Sequence, residues 1–189
     1  MRFLCVAAAL ALAACGRPAP APHIAAPGVG CTREYMHRVA FSDVSAPDTI
    51  TARAEGPSCA QAVVTLTIRA ANGDPLWVFA ETYAVMQGGE AASRLAPAAI
   101  DRLDEFLMSW ADVTIKTTGD LPEWRAEAAT LAESVQGMSY ATPFDRDSYE
   151  RFRRQNLRDL CFAVGPESSQ CIIMDPASHA PSLIVNFGA

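Results

Sequence analysis

Apolar and polar residues alternate along the first part of the chain with the two-residue period of β-strands. The alternation covers residues 35–41, 49–54, 61–69 and 76–86, so we predict four strands there. Residues 71–75 (Ala-Asn-Gly-Asp-Pro) separate the last two runs. They have the composition of a tight turn, because Asn-Gly readily adopts positive φ. The pattern therefore predicts an antiparallel meander.

After Pro97 the apolar period changes to three and four residues, which is typical of an amphipathic helix. The apolar positions of this first predicted helix are Ile100, Leu103, Phe106, Leu107 and Trp110. A second helix is predicted over residues 120–135, because Asp120 and Glu123 have the spacing of a capping box. Its inward-facing positions are Leu121, Trp124, Ala128, Leu131 and Val135.

A third, shorter helix is predicted from Asp147 and Glu150, which repeat the capping-box spacing. Strands return near the end, over residues 160–164, 170–174 and 182–187. The order of strands, helices and strands favours an α+β fold over the βαβ alternation of a parallel sheet. We expect residues 31–189 to form a single globular domain. It would contain one antiparallel sheet, made of the N-terminal meander and the C-terminal strands, with two to three helices packed on one face.

An aromatic row lies on one side of the fourth predicted strand, at Trp77, Phe79 and Tyr83. Such a row is expected in the core. If the helices cover the other face of the sheet, however, the row would form an exposed apolar surface for a partner or a ligand.

Composition and charge narrow the function classes. The chain has 189 residues, of which 50% are hydrophobic, and this supports a folded domain of ordinary size. Lys and Arg number 15 against 21 Asp and Glu, which gives a formal net charge of −6. A nucleic-acid partner held by phosphate neutralisation is therefore not expected. The sequence contains no cofactor-binding motif, so no cofactor is expected.

The N-terminus has the pattern of an export signal. Arg2 precedes an uninterrupted apolar stretch, residues 3–14, which suits a signal peptide and is too short to span a membrane. The stretch ends in Leu12-Ala13-Ala14-Cys15, which resembles the lipobox of bacterial lipoprotein precursors. The resemblance implies cleavage after Ala14 and a diacylglyceryl group on the Cys15 sulfur, with acyl chains such as palmitate as the membrane anchor. The alternative is an ordinary secretory signal that is cleaved after another small residue.

The residues after the lipobox bear on location. Gly16 stands where the inner-membrane lipoproteins of enteric bacteria carry Asp. The resemblance therefore implies the outer membrane, with the domain facing the periplasm, rather than the inner membrane. Residues 15–30 are rich in proline and alanine and predict an extended tether. At about 3.1 Å per residue, about thirteen extended residues of this tether would span on the order of 40 Å.

Four cysteines remain after the lipobox, and an exported chain meets an oxidising environment, so two disulfides are expected. Three pairings are possible. Cys161 and Cys171 flank a hairpin-like sequence and would face each other, which leaves Cys31 to pair with Cys59. A metal site is not expected, because no Cys-x-x-Cys spacing occurs and the three histidines are scattered.

One short sequence resembles a hydrolase motif. Ser139, in Gly-Met-Ser-Tyr-Ala, is one residue short of the nucleophile-elbow pattern G-x-S-x-G. Asp159 or Asp175 and then His179 follow in the order of that triad. The elbow needs a strand before the serine and a helix after it, whereas the pattern here predicts a helix before it. We therefore predict no catalytic residues.

The chain has one cluster of basic residues. It consists of Arg146, Arg151, Arg153, Arg154 and Arg158, with acidic residues interleaved. Such a pattern is typical of a solvated, salt-bridged helix face. The alternative is that it contacts a partner's acidic patch or an anionic surface such as lipopolysaccharide.

Taken together, these patterns favour a lipid-anchored envelope protein whose domain binds a protein or an envelope polymer rather than transforming a substrate. Two alternatives remain open. The first is a small envelope hydrolase that uses Ser139 and His179. The second is a small-ligand carrier, which would require an apolar cavity between sheet and helices.

Overall fold

The computed structural model describes residues 30–89, 100–134 and 138–188. The predicted signal peptide (residues 1–14), the lipidation site Cys15 and residues 16–29 of the predicted tether lie outside them. Among the described residues, no helix combines the length and the apolar character needed to cross a membrane.

Four strands form an antiparallel sheet in chain order, which confirms the predicted meander. They are β1 (Cys31–Val39), β2 (Asp48–Gly56), β3 (Val63–Arg69) and β4 (Pro75–Thr82). The turn from β3 to β4 contains Gly73 at φ 89°, a conformation that glycine adopts without strain. Alternate residues of β2 and β3 are buried, so one face of this sheet carries the core.

Strand β4 ends four residues earlier than predicted. Thr82 accepts a hydrogen bond from the Val85 amide at 3.3 Å through its Oγ1, and so caps a short helix, α1 (Tyr83–Met86). Tyr83 therefore leaves the strand but is still buried, at 5% exposure. The aromatic row packs against the core, as expected, although Tyr83 enters it from a helix.

The first predicted helix is confirmed as α2 (Ile100–Ala111). Leu103, Leu107 and Trp110 are buried, because residues three and four apart share one face of a helix, and α2 packs against β1 and β2.

The second predicted helix is wrong. Asp120 does accept capping bonds from Thr117, but they close a 3₁₀ turn at Thr118–Asp120. Leu121 is extended, with ψ 153°, because the following Pro122 disfavours helical backbone at the residue before it. Helical structure returns only in α3 (Leu131–Ser134). The inward positions Leu121, Ala128 and Leu131 are nevertheless buried.

The remaining strands form a second antiparallel sheet in the order β5-β7-β8-β9-β6. They are β5 (Ile115–Thr117), β6 (Ser139–Ala141), β7 (Arg158–Gly165), β8 (Ser168–Met174) and β9 (Pro181–Gly188). The third predicted helix is confirmed as α4 (Arg146–Gln155), but its cap is Asp145 and not the predicted Asp147, because the Asp145 side chain accepts from the Ser148 amide. The α+β class and the antiparallel strands are thus confirmed, but the strands form two sheets rather than one.

Two clusters of buried side chains lie on opposite faces of the second sheet. Leu160 and Ile172 belong to the first cluster, together with α2 and the inner face of the first sheet. Cys171 and Ile173 belong to the second, which α4 covers with Tyr149. Strands that are apolar on both faces need cover on both faces. The two longer helices therefore pack into different clusters, rather than on one face of a single sheet.

Both predicted disulfides are confirmed. Cys31 bonds to Cys59, with a Cα–Cα distance of 4.8 Å, and ties the start of β1 to the turn after β2. Cys161 bonds to Cys171 across β7 and β8, where the two residues are register partners.

Candidate functional site

A groove of about 570 Å³ lies between helices α1 and α2 on one side and strands β5 and β7 on the other. Its apolar lining consists of Met86, Phe106, Trp110, Val113, Phe162 and Ala163. Its rim consists of the exposed polar side chains of Gln87, Ser109, Asp112, Thr114 and Lys116. Concave sites of this volume, with an apolar floor and few polar groups, are typical of ligand-binding sites.

Interlocking aromatic rings form the floor of the groove. Phe106 stacks on Trp110 with 5.2 Å between ring centroids, and Phe79 meets Trp110 edge-on at 6.0 Å. Phe162 from β7 contacts Phe79 at 5.8 Å, so the floor joins both sheets and α2. Such ring pairs stabilise their geometry beyond simple area burial, and the floor is therefore rigid.

The groove runs along a free stretch of strand edge. Within the described residues, β5 pairs only with Arg158–Leu160 of β7 and leaves the rest of that edge without a strand partner. The Trp110 indole Nε1–H donates to the Ala163 carbonyl at 2.9 Å, so this carbonyl faces α2 rather than β8. Backbone groups alternate in direction along a strand, and those of Cys161 face the same way. The edge can therefore offer backbone hydrogen bonds to a molecule in the groove.

A second depression, of about 650 Å³, lies beside α1. Among its described lining residues, which include Ser58, Gln61, Thr82 and Val85, none is aromatic or charged. It therefore has fewer groups that would select a ligand than the aromatic groove has.

The wall of the groove includes a disulfide beside a buried acid. Cys161 lines the groove, whereas Cys171 is fully buried. Asp159, two residues before Cys161 on the same face of β7, is 1% exposed. Its Oδ2 lies 3.6 Å from Sγ of Cys161. The two sulfurs are bonded to each other, so in this state they are not available to a metal ion.

Burial raises the pKa of the Asp159 carboxyl to about 6, because a buried carboxylate loses its hydration. The Asp120 carboxylate also raises this pKa, and the Lys116 ammonium lowers it. Lys116 is the register partner of Asp159 on β5, and the apolar Ile173 is its partner on β8.

Four of the five arginines of the predicted partner-binding cluster have partners inside the protein. Arg146 donates to the Ala128 carbonyl and lies over the Trp124 ring. Arg158 donates to the Ala40 carbonyl at 3.0 Å and so links the second sheet to the loop after β1.

The third of these, Arg153, donates to the Leu121 carbonyl at 2.9 Å and to Glu150 at 2.9 Å. Arg151 is exposed on α4, donates to the Ser148 hydroxyl at 3.2 Å and lies over the Phe152 ring. Arg154 is exposed on the same helix.

The structure does not bring Ser139 and His179 together. Ser139 is opposite Gly188 at one end of β9, and His179 precedes Pro181 at the other end. The strand between Pro181 and Gly188 is about 23 Å long at 3.3 Å per residue. His179 lies in an exposed turn at φ 54°, as expected for a loop residue.

The two candidate acids of that triad also have other places in the structure. Asp175 accepts hydrogen bonds from Ala177 and Ser178 within the turn that contains His179. Asp159 is buried on β7, beside Cys161.

The sequence pattern missed the groove itself. It correctly placed Phe106 and Trp110 on the buried face of α2 but did not predict β5. The β-branched run Val113-Thr-Ile-Lys-Thr117 was the available signal for that strand. The signal for Asp159 was a charged residue, preceded by Arg158, directly before the apolar run 160–164.

No family model, no curated protein and no solved structure matches this chain.

Proposed function

We propose that this chain is a lipid-anchored protein of the cell envelope, and that its domain binds an extended segment of another envelope protein. The proposal that the domain binds such a segment rests on the edge of β7 that has no strand partner, above the aromatic floor of the groove. An extended peptide adds to such an edge through backbone hydrogen bonds, and its alternate side chains enter the apolar groove.

The two closed disulfides support export. Every cysteine of the described residues is in a disulfide, and disulfides persist in oxidising compartments such as the periplasm. The Leu12-Ala13-Ala14-Cys15 pattern then supports an acyl anchor on Cys15. Gly16 favours the outer membrane, with the domain on its periplasmic face.

A Cys15→Ser precursor tests the anchor. Without the acylated sulfur, the chain should no longer sediment with membranes, because two or three acyl chains supply the membrane affinity. Density-gradient separation of the native product should place it in the outer-membrane fraction. A Cys15→Ser chain that remains membrane-bound would contradict the proposed anchor.

Site-specific crosslinking tests the binding groove. A photoreactive residue at Thr114, on the rim, should capture a discrete envelope protein in intact cells. The same residue at Thr32, exposed on β1, serves as the control. Ser109→Trp should block the groove and reduce the Thr114 crosslink severalfold. Met108→Trp, on the neighbouring exposed position outside the lining, should not. Equal products from Thr114 and Thr32 would contradict the proposed site.

The volume and apolar floor of the groove also favour a second function, the binding of a small apolar ligand. A fluorescent apolar probe such as anilinonaphthalene sulfonate should then bind the purified chain. Ser109→Trp should abolish that binding and Met108→Trp should not. Probe binding combined with failure of the protein crosslink would favour the ligand carrier over the peptide-binding module.

A further inference from the structure

The two cysteines of the Cys161–Cys171 disulfide differ in burial. Cys161 is half-buried, at the edge of β7 that no described strand covers beyond Leu160. Cys171 is fully buried, and both cysteines pack in the second cluster, on the face of the sheet opposite the aromatic floor of the groove. Thiol–disulfide exchange needs access to one of the two sulfurs, so a thiol that reaches this open edge would attack Cys161.

The Asp159 side chain beside this disulfide has fewer hydrogen-bond partners than a buried aspartate that stabilises a fold. Oδ1 of Asp159 is buried, with no hydrogen-bond partner in the described parts of the chain. Asp48, the other fully buried aspartate among the described residues, accepts bonds from the amides of Phe41 and Ser42 and from the Ser42 hydroxyl. An unsatisfied buried carboxyl destabilises a fold, so stability does not explain Asp159.

The carboxyl of Asp159 is well placed to exchange a proton with the disulfide. One carboxylate oxygen of Asp159 and both sulfurs lie within 4.8 Å of one another. When a thiol attacks Cys161, the departing Cys171 sulfur would carry a negative charge in an apolar cluster, which is strongly unfavourable. A proton donor within this distance removes that charge.

We propose that Cys161 and Cys171 form a thiol–disulfide exchange site, in which Cys161 is the attacked sulfur and Asp159 donates the proton to Cys171. The co-reactant is a dithiol that reaches the open edge of β7 at Cys161. This inference goes beyond the proposed binding function and does not depend on the lipid anchor.

The exchange proceeds in two balanced steps. A thiolate of the dithiol attacks Sγ of Cys161 and forms a mixed disulfide, while the Cys161–Cys171 bond breaks and its electron pair passes to Cys171. Asp159 protonates Cys171, becomes a carboxylate and later regains a proton from solvent. The second sulfur of the dithiol, having lost its proton to solvent, attacks its own partner sulfur. Cys161 is released and takes up a proton from solvent. The dithiol is oxidised and the protein disulfide is reduced by two electrons.

The environment of Asp159 fits a proton donor. The pKa of its carboxyl is raised to about 6, mainly by burial, with a contribution from the nearby Asp120 carboxylate that Lys116 opposes. The carboxyl therefore holds its proton at mildly acidic pH. It can release this proton to a cysteine thiolate, because the ordinary pKa of a cysteine thiol, about 8.5, is higher.

The experiment measures reduction of both disulfides in the same molecules. The full chain, purified in detergent, is treated with dithiothreitol between pH 5 and pH 7. Free thiols are then alkylated and quantified by mass spectrometry for each pair. The rate constant per dithiothreitol thiolate should be about tenfold higher at pH 5 than at pH 7 for Cys161–Cys171, following protonation of Asp159. For Cys31–Cys59, to which we assign no proton donor, this rate constant should be the same at both pH values.

Asp159→Asn should abolish the pH dependence of the Cys161–Cys171 rate constant. Asp147→Asn, an exposed aspartate on α4, should leave it unchanged. If Asp159→Asn does not fold, the comparison of the two disulfides in the unmodified chain decides the question.

Two results would overturn the proposal. One is that the rate constant per dithiothreitol thiolate depends on pH in the same way for both disulfides. The other is a Cys161–Cys171 reduction rate that does not depend on dithiothreitol concentration, because the sulfurs would then be reached only after global unfolding.

Discussion

Trp110 donates its indole N–H to the backbone carbonyl of Ala163 across 2.9 Å, between residues 53 positions apart in the chain. This bond joins α2 to the free edge of β7 and fixes the floor of the groove. The same ring contacts Phe106 and Phe79, so one side chain connects the helix, the first sheet and the second sheet.

Trp110→Phe should therefore destabilise the fold. The change removes the donor to the half-buried Ala163 carbonyl, and the loss of this hydrogen bond costs about 0.5–1.5 kcal/mol in the free energy of unfolding. Trp77→Phe is a matched control, because Nε1 of Trp77 is buried and has no hydrogen-bond partner among the described residues. Urea titration of both variants measures the difference. Equal losses would mean that ring volume, and not the hydrogen bond, accounts for the effect.

The two helices that were predicted well differ from the failed one in a simple way. In α2 the apolar spacing favours a helix, and in α4 an acidic cap and the inward positions of Tyr149 and Phe152 favour one, although the cap is Asp145 and not the predicted Asp147. Over residues 120–135 the apolar spacing indicated a helix, but Pro122 follows Leu121 and favours extended backbone there. The buried positions were still predicted, because burial depends on which residues are apolar more than on the local conformation.

Patterns within single segments could not predict the groove, for a different reason. Its walls come from α1, α2, β5 and β7, and their contact depends on the division of the strands into two sheets. The cysteine pairing was predictable, because Cys161 and Cys171 flank one hairpin. Non-local pairings such as β5 with β7 follow from packing of the whole chain, which periodicity within one segment does not report.

Asp159→Asn should stabilise the protein at neutral pH. The folded-state pKa of about 6 exceeds the ordinary value of 3.8, so the folded state favours the protonated carboxyl. The resulting penalty is absent below pH 3.8 and grows as the pH rises through 6. The variant should therefore have the higher free energy of unfolding at pH 7, by at most about 3 kcal/mol, and the difference should disappear towards pH 4.

Asp48→Asn provides the contrast to this variant. The Asp48 side chain accepts three hydrogen bonds, from the Phe41 and Ser42 amides at Oδ2 and from the Ser42 hydroxyl at Oδ1. The single oxygen of asparagine can replace only one of these two acceptors, and it lacks the negative charge that strengthens the bonds. This variant should lose about 1–3 kcal/mol. Urea titrations from pH 4 to pH 8 compare the two. A stability difference between Asp159→Asn and the parent chain that does not change with pH would contradict a raised pKa for Asp159.

Arg153 and Arg154 are neighbours on α4 and should differ in their contribution to stability. Arg153 is 18% exposed in its side chain and bonds both the Leu121 carbonyl and Glu150. Arg153→Ala should therefore cost about 2–3 kcal/mol, because it leaves these groups without their charged donor. Arg154 is exposed, and Arg154→Ala should change stability by less than about 0.5 kcal/mol. Thermal unfolding measures both, and similar losses would contradict a structural role specific to Arg153.

The two disulfides should stabilise the fold to different extents, because they close loops of different length. The residues of Cys31–Cys59 are 28 apart and those of Cys161–Cys171 are 10 apart. The chain-entropy model gives about 3.6 kcal/mol for the longer loop and about 2.7 kcal/mol for the shorter one. Replacing Cys31 and Cys59 together with Ala should therefore lower the free energy of unfolding more than replacing Cys161 and Cys171 together. Urea titration of the two double variants, without reductant, checks the order. The reverse order would mean that packing of the buried Cys171 in the second cluster contributes more to stability than restriction of the unfolded chain.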